Sequence, residues 1–299
     1  MPNTQLANRG ALRLPRERLG RRKARSITRD DISALVDHAS TAGRAKGGRP
    51  GSSLSARSVQ AMFAKLKAAF ELACDDGKLP RNPCRGVKLP RITEREDTTW
   101  SEAQLQRFLG AAAADRLHAC WLLSALGLRR GEVLGLRWGD IDWDAGTLTI
   151  TRARVLVSGT GIVEKAPKST RSARTLPLFE PVTSALAALQ ATQMEEQAAA
   201  GPVYRGGEYV ASDEEGRPID PDTYSVGFRR ICRQNALPLI RLHDTRATTN
   251  SLLEQAGIPD SLRASWLGHT VQINRKSYLA KPKDMTPVSD MIGVIFGAV

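Results

Sequence analysis

Arg129, Lys168, His243, Arg246, His269 and Tyr278 have side chains suited to attack on a phosphodiester. An arginine offers planar, paired N–H donors to phosphate oxygens and keeps its charge. Two of them can hold both non-bridging oxygens and stabilise the extra charge of a pentacoordinate transition state. A tyrosine hydroxyl, with a pKa of about 10, is only about 0.1% ionised at pH 7 and needs a proton acceptor to become a nucleophile. Histidine can accept that proton, and a lysine can return one to the leaving 5′-oxygen. Taken singly these residues are ordinary: a surface arginine, a histidine at a helix end, a half-buried tyrosine, a solvated lysine. The chemistry rests on the set. No acidic cluster suited to Mg²⁺ lies near them, which favours a route without metal or other cofactor.

Elements able to position these groups are visible in the patterning. Arg129 lies in the turn Leu128-Arg129-Arg130-Gly131-Glu132, just ahead of a helix expected over 131–137. His243 and Arg246 stand three apart on a helix expected over 243–256 and so share a face. Lys168 follows Pro167 in a hairpin between strand patterns at Ile162-Val163-Glu164 and Arg174-Thr175-Leu176-Pro177-Leu178. A further strand pattern covers Thr147 to Thr151. Ser101-Glu102-Ala103-Gln104 matches a capping box that opens a helix over 101–113. Helices are also expected over 115–126, 180–198, 221–235, 259–267 and 272–280. The expected fold is mainly α with a small antiparallel β-sheet, an α+β domain preceded by a small helical one.

The charge is lopsided. Residues 1–98 hold 21 Lys and Arg against 10 Asp and Glu, whereas residues 99–299 hold 23 against 21. A basic first third points to a polyanionic partner, and nucleic acid fits best. Residues 1–25 read as a flexible basic arm ending in Arg21, Arg22, Lys23 and Arg25. A helix capped by Thr28 and a stronger one over 56–74 follow, the latter carrying Lys65 and Lys67 on its surface. These six basic residues are the candidate DNA contacts outside the catalytic set. Residues 26–88 are expected to form a helical domain and residues 89–98 a linker. No apolar run approaches the roughly 18 residues of a membrane span. Cys74, Cys84, Cys120 and Cys232 lack metal-ligand spacing, and a reduced cytoplasmic setting, on the nucleoid, fits them.

The motifs resemble those of the tyrosine recombinase (phage integrase) family. Ala125-Leu126-Gly127-Leu128-Arg129-Arg130-Gly131-Glu132 with Leu136-Arg137-Trp138-Gly139-Asp140-Ile141-Asp142 is similar to the family's first box. Pro167-Lys168-Ser169-Thr170-Arg171-Ser172-Ala173-Arg174-Thr175-Leu176-Pro177-Leu178 is similar to its hairpin. His243-Asp244-Thr245-Arg246-Ala247-Thr248, Leu267-Gly268-His269 and Tyr278 complete the series in order and at family spacing.

The resemblance implies that residues 26–88 are an incomplete helical core-binding, DNA-binding domain, and that residues 99–280 are a catalytic domain in which Tyr278 is the nucleophile and forms a 3′-phosphotyrosine. Arg129, Arg246 and His269 would stabilise the transition state, with Glu132 bracing the site. Lys168 would act as general acid, and His243 would handle the tyrosine proton. It further implies double-stranded DNA recombination sites, a homotetramer on DNA, and DNA-bending or directionality proteins as plausible partners. Two departures stand out: Arg275 where threonine is common, and Leu279-Ala280 where a histidine often follows the tyrosine by two. The apolar residues of the tail over 281–299, Val288, Met291, Ile292, Val294, Ile295 and Phe296, suit packing on their own domain or docking on a neighbour, the neighbour being favoured. A type IB topoisomerase, which uses the same residues as a monomer, and a catalytically inactive DNA-binding remnant or regulator are the competing readings.

Overall fold

The computed structural model describes residues 2–45, 48–92, 99–157, 159–166, 173–268, 288 and 291–294. The chain divides into two compact units, Met1–Glu96 and Asp97–Val299.

Among the described residues the first unit contains four α-helices, α1 (Pro2–Ala11), α2 (Arg13–Leu19), α3 (Arg29–Ala42) and α4 (Ala56–Asp75). α3 begins at a capping box in which the Thr28 N–H donates to Asp31 Oδ2 at 2.8 Å and the Thr28 hydroxyl accepts from the Asp31 N–H. Ile32, Leu35, Val36 and Ala39 of α3 face Val59, Met62, Phe63, Leu66 and Phe70 of α4 in a separate core.

The segment read as a flexible arm is helical instead, because Leu14 and Leu19 are buried in that same core. Arginine is a good helix former, and Pro15 falls in the first turn of α2, where a missing N–H costs nothing. Arg22 hydrogen-bonds Asp31 at 2.5 Å and Arg25 donates to the Lys78 carbonyl at 3.0 Å, so both anchor the chain. Arg21, Lys23, Lys65 and Lys67 are exposed.

The second unit is built on α5 (Glu102–Ala112), α6 (His118–Ala125), α7 (Arg130–Gly135), α8 (Glu180–Ala200), α9 (Pro221–Gln234), α10 (Asp244–Gln255) and α11 (Asp260–Leu267). The capping box at Ser101 and Gln104 forms, with the Ser101 N–H donating to Gln104 Oε1 at 2.9 Å. All but the first residue of α6 are buried, so it runs through the centre of the core. Trp121 of α6 stacks on Tyr224 of α9 with ring centroids 4.1 Å apart. The described tail packs on its own unit: Val288 and Ile292 lie fully buried in this core, and Val294 is exposed.

Where one sheet was expected there are two. β1 (Ile141–Asp142), β2 (Thr147–Ile150) and β5 (Arg174–Pro177) form an antiparallel sheet in the order β1-β2-β5. β3 (Ala153–Val157) and β4 (Gly161–Lys165) pair only with each other. β4 and β5, the described strands on either side of Lys168 in the sequence, therefore belong to different sheets and do not pair with each other. β3 leaves the first sheet because it lies against α7, where a Cβ on Gly131 would stand 2.8 Å from the Arg154 carbonyl oxygen.

Candidate active site

Of the seven expected catalytic and bracing residues, Arg129, Glu132, His243 and Arg246 fall among the described ones, and Arg129, Glu132 and Arg246 meet. Arg129 is the N-cap of α7, and Glu132 at the third helical position turns back to accept the Arg129 N–H at 2.9 Å. The same carboxylate takes Arg129 Nη1 at 2.6 Å. Arg246 sits in the first turn of α10, where Thr245 and Thr249 donate their hydroxyls to the Ser124 and Ala125 carbonyls of α6. These bonds satisfy buried polar groups and lock α10 against the chain leading to Arg129.

The C-terminus of α11 gathers the guanidinium groups. Arg174 Nε donates to the Trp266 carbonyl at 2.7 Å, Arg246 Nη2 to the Leu267 carbonyl, and Arg129 Nη2 to the Gly268 carbonyl at 2.9 Å. Three consecutive carbonyls thus each bind a different arginine. The last carbonyls of a helix lack intrahelical partners and carry partial negative charge, so cations are favoured there. Gly268 ends the helix in the left-handed conformation at φ 61°, and a Cβ on it would lie 2.6 Å from Arg174 Nη1. Gly127, at φ +89°, brings its carbonyl within 2.7 Å of Arg246 Nη1. A Cβ there would stand 2.5 Å from Leu267 Cδ2.

Electrostatics follow from this crowding. Burial, then the charges of Arg129 and Arg174, push Arg246 down to about 9, which leaves it charged at neutral pH. Burial alone would raise the Glu132 carboxyl, but the charge and hydrogen bonds of Arg174, with those of Arg129, outweigh it and hold the carboxyl below its ordinary range. Arg174 closes on Glu132 at 3.0 and 3.3 Å. Replacing Glu132 with Ala would leave two guanidiniums without their counter-charge, one of them buried. The expected loss is about 3–5 kcal/mol of folding stability, read by urea denaturation of the full chain.

His243 caps α10 one turn before Arg246 and lines a cleft of about 610 Å³ with Arg129, Arg130, Arg154, Arg229 and Arg241. Desolvation against the cleft, then the charge of Arg246, lower its pKa below 6.5, so the ring is neutral at pH 7 and able to take a proton. Lys168, His269 and Tyr278 lie outside the described residues. The sequence reading assigned no role to Arg174, although it stands in the hairpin motif. Its burial at 6% exposure is what marks it, and a lone arginine on a strand carries no such signal.

A helical domain with small antiparallel sheets thus gathers Arg129, Arg174 and Arg246 at one helix end, beside an arginine-lined cleft, as donors suited to a phosphate group. The profile of the phage integrase family matches residues 99–283, and the chain belongs to that family, the tyrosine recombinases. A tyrosine recombinase XerC-like protein of Caldanaerobacter subterraneus subsp. tengcongensis is 30% identical over 81% of this chain and 67% of its own length. The chain spans about two thirds or less of the curated relatives it matches. In fold it is similar to the integrase of transposon Tn1549 in complex with a circular intermediate DNA, with TM-score 0.75, 20% identity, and coverage of 97% and 93% of the two chains. A lambda integrase tetramer bound to a Holliday junction gives TM-score 0.59 at 18% identity, covering 95% of this chain and 75% of that one.

Proposed function

We propose that this chain is a site-specific DNA recombinase that cleaves and rejoins duplex DNA through a 3′-phosphotyrosine on Tyr278, integrating or excising a mobile element. The observation that carries this reading is the meeting of Arg129 and Arg246, 117 residues apart in sequence, on adjacent carbonyls at the end of α11. In the mechanism, Tyr278 attacks the scissile phosphate while Arg129 and Arg246, with His269, bind its non-bridging oxygens. His243 takes the tyrosine proton and Lys168 protonates the departing 5′-oxygen. The phosphotyrosine conserves the bond energy, so a partner strand's 5′-hydroxyl reverses the step without ATP.

Duplex recombination sites are the substrate, and four protomers on two sites are the working assembly. The tetramer and transposon complexes of the proteins similar in fold support that assignment. Among the described residues no helix is long and apolar enough to cross a membrane.

The test is a denaturing gel of the full chain incubated, with EDTA present, with a phosphorothiolate-trapped site from the DNA flanking its gene. A covalent adduct is expected. Binding by gel shift without an adduct would move the reading to a DNA-binding remnant, and relaxation of supercoils by a monomer to a topoisomerase. The proton-accepting role of His243 predicts a pH dependence. The neutral ring is the active form, so the single-turnover cleavage rate should be level near pH 7 and fall as pH drops through the lowered pKa, with a midpoint below 6.5. His243→Gln should be slower at pH 7 and lack that limb. A limb retained unchanged in the variant would assign the proton elsewhere.

A further inference from the structure

The geometry points to Arg174 as a positioning residue for strand cleavage, a third guanidinium that aims Arg129 by holding Glu132 and the end of α11 in one unit. The inference rests on the strand-transfer reading above and extends it to a buried residue whose guanidinium bonds Glu132 and the Trp266 carbonyl. Arg174 faces inward from β5 and is paired in register with Ile150 of β2, so its backbone is fixed by the sheet.

From there it makes two kinds of bond. Nη1 and Nη2 take the two oxygens of Glu132, and Nε takes the Trp266 carbonyl. Glu132 in turn holds the backbone N–H and Nη1 of Arg129, whose Nη2 binds the Gly268 carbonyl two residues beyond Trp266. Arg174 and Arg129 are therefore joined twice, once through a shared carboxylate and once through one helix terminus.

The arrangement has a charge consequence. Glu132 alone beside Arg129 would form a closed ion pair and reduce the field at the phosphate. With Arg174 saturating the opposite side of the carboxylate, the cluster of Arg129, Arg174, Arg246 and Glu132 keeps a net positive charge of about two. It also has a geometric one. A Cβ at Gly268 would collide with Arg174, so the guanidinium sits directly against the residue that ends α11. A side chain that merely filled space at this point could be replaced by an uncharged one of similar volume. A positioning guanidinium cannot.

The experiment uses the full chain and the trapped duplex site, comparing Arg174→Gln, Arg174→Lys, Glu132→Gln and the Gln/Gln double variant with the wild type. Adduct formation rate, duplex affinity and thermal midpoint are read for each. Arg174→Gln should bind the duplex within about threefold of wild type yet cleave on the order of 100-fold more slowly. Arg174→Lys, which keeps the charge but only a single point donor, should recover about tenfold of that loss. Because one of the two links passes through Glu132, the loss in the double variant should fall well short of the product of the two single losses.

The assignment is overturned if Arg174→Gln cleaves within about threefold of wild type, if its rate loss is matched by lost affinity, or if the two Gln losses multiply. Should Arg174→Gln fail to fold, Arg174→Lys decides: slowed cleavage at unchanged affinity supports the role, and unchanged cleavage removes it. No adduct from the wild type would instead overturn strand transfer itself, and this assignment with it.

Discussion

Tyr278→Phe should abolish the covalent protein–DNA adduct while leaving duplex affinity within about twofold of wild type. Phenylalanine keeps the ring but removes the only side-chain atom that can bond to phosphorus. Nucleophile removal in enzymes that act through a covalent intermediate costs far more than any binding contact, since the reacting group itself is lost. A single hydroxyl contributes little to duplex affinity, which is dominated by charge neutralisation along the backbone. The measurement is the denaturing gel and the gel shift run on the same samples. A Tyr278→Phe adduct that persists would exclude Tyr278 as nucleophile and return attention to Tyr204 and Tyr209, the partly buried tyrosines of the same unit.

Arg246→Ala should cut the single-turnover cleavage rate by about 10³-fold. The expected size follows from removing one preorganised donor to a developing oxyanion, about 10²–10³-fold, together with loss of a full charge in a dry site. Two carbonyls also lose their donors, those of Gly127 and Leu267. Each unsatisfied buried carbonyl costs about 1–3 kcal/mol, so stability must be read beside rate. Arg246→Lys separates the two effects. It restores charge but cannot bridge both carbonyls and a phosphate oxygen, and should regain only part of the rate. Affinity for the duplex should fall modestly, with the salt dependence of binding reduced by about one phosphate contact. A variant that folds, binds and still cleaves at near wild-type rate would show that Arg246 serves the carbonyls of α11 alone.

Most of the helices were legible from local signals. Ser101 with Gln104 marks the start of α5, and the spacing of Val59, Met62, Phe63, Leu66 and Phe70 marks one face of α4. Helix boundaries depend on the few residues that satisfy terminal N–H and C=O groups, and apolar periodicity depends on which face is buried; both are short-range properties. The order of Arg129, Glu132, His243 and Arg246 could likewise be read as a motif, because each has a side-chain type that phosphoryl chemistry demands. α1 and α2 were not legible. Their buried leucines are few, and only contact with α3 and α4 makes two of them enough to hold an arginine-rich segment in helix.

The sequence by itself therefore determined most of the inventory: the helices from α3 onward, the side-chain types suited to phosphoryl chemistry, and where the net charge lies. The tertiary structure alone decided that Arg174 meets Glu132 across 42 residues, that β4 pairs back on β3, and that the carbonyls of Trp266, Leu267 and Gly268 hold three arginines in turn. The physical reason is that a backbone carbonyl is the same group at every residue and leaves no mark in a sequence. Its role as a hub exists only once a helix ends there with unpaired acceptors and the fold delivers donors from distant strands and helices to meet them.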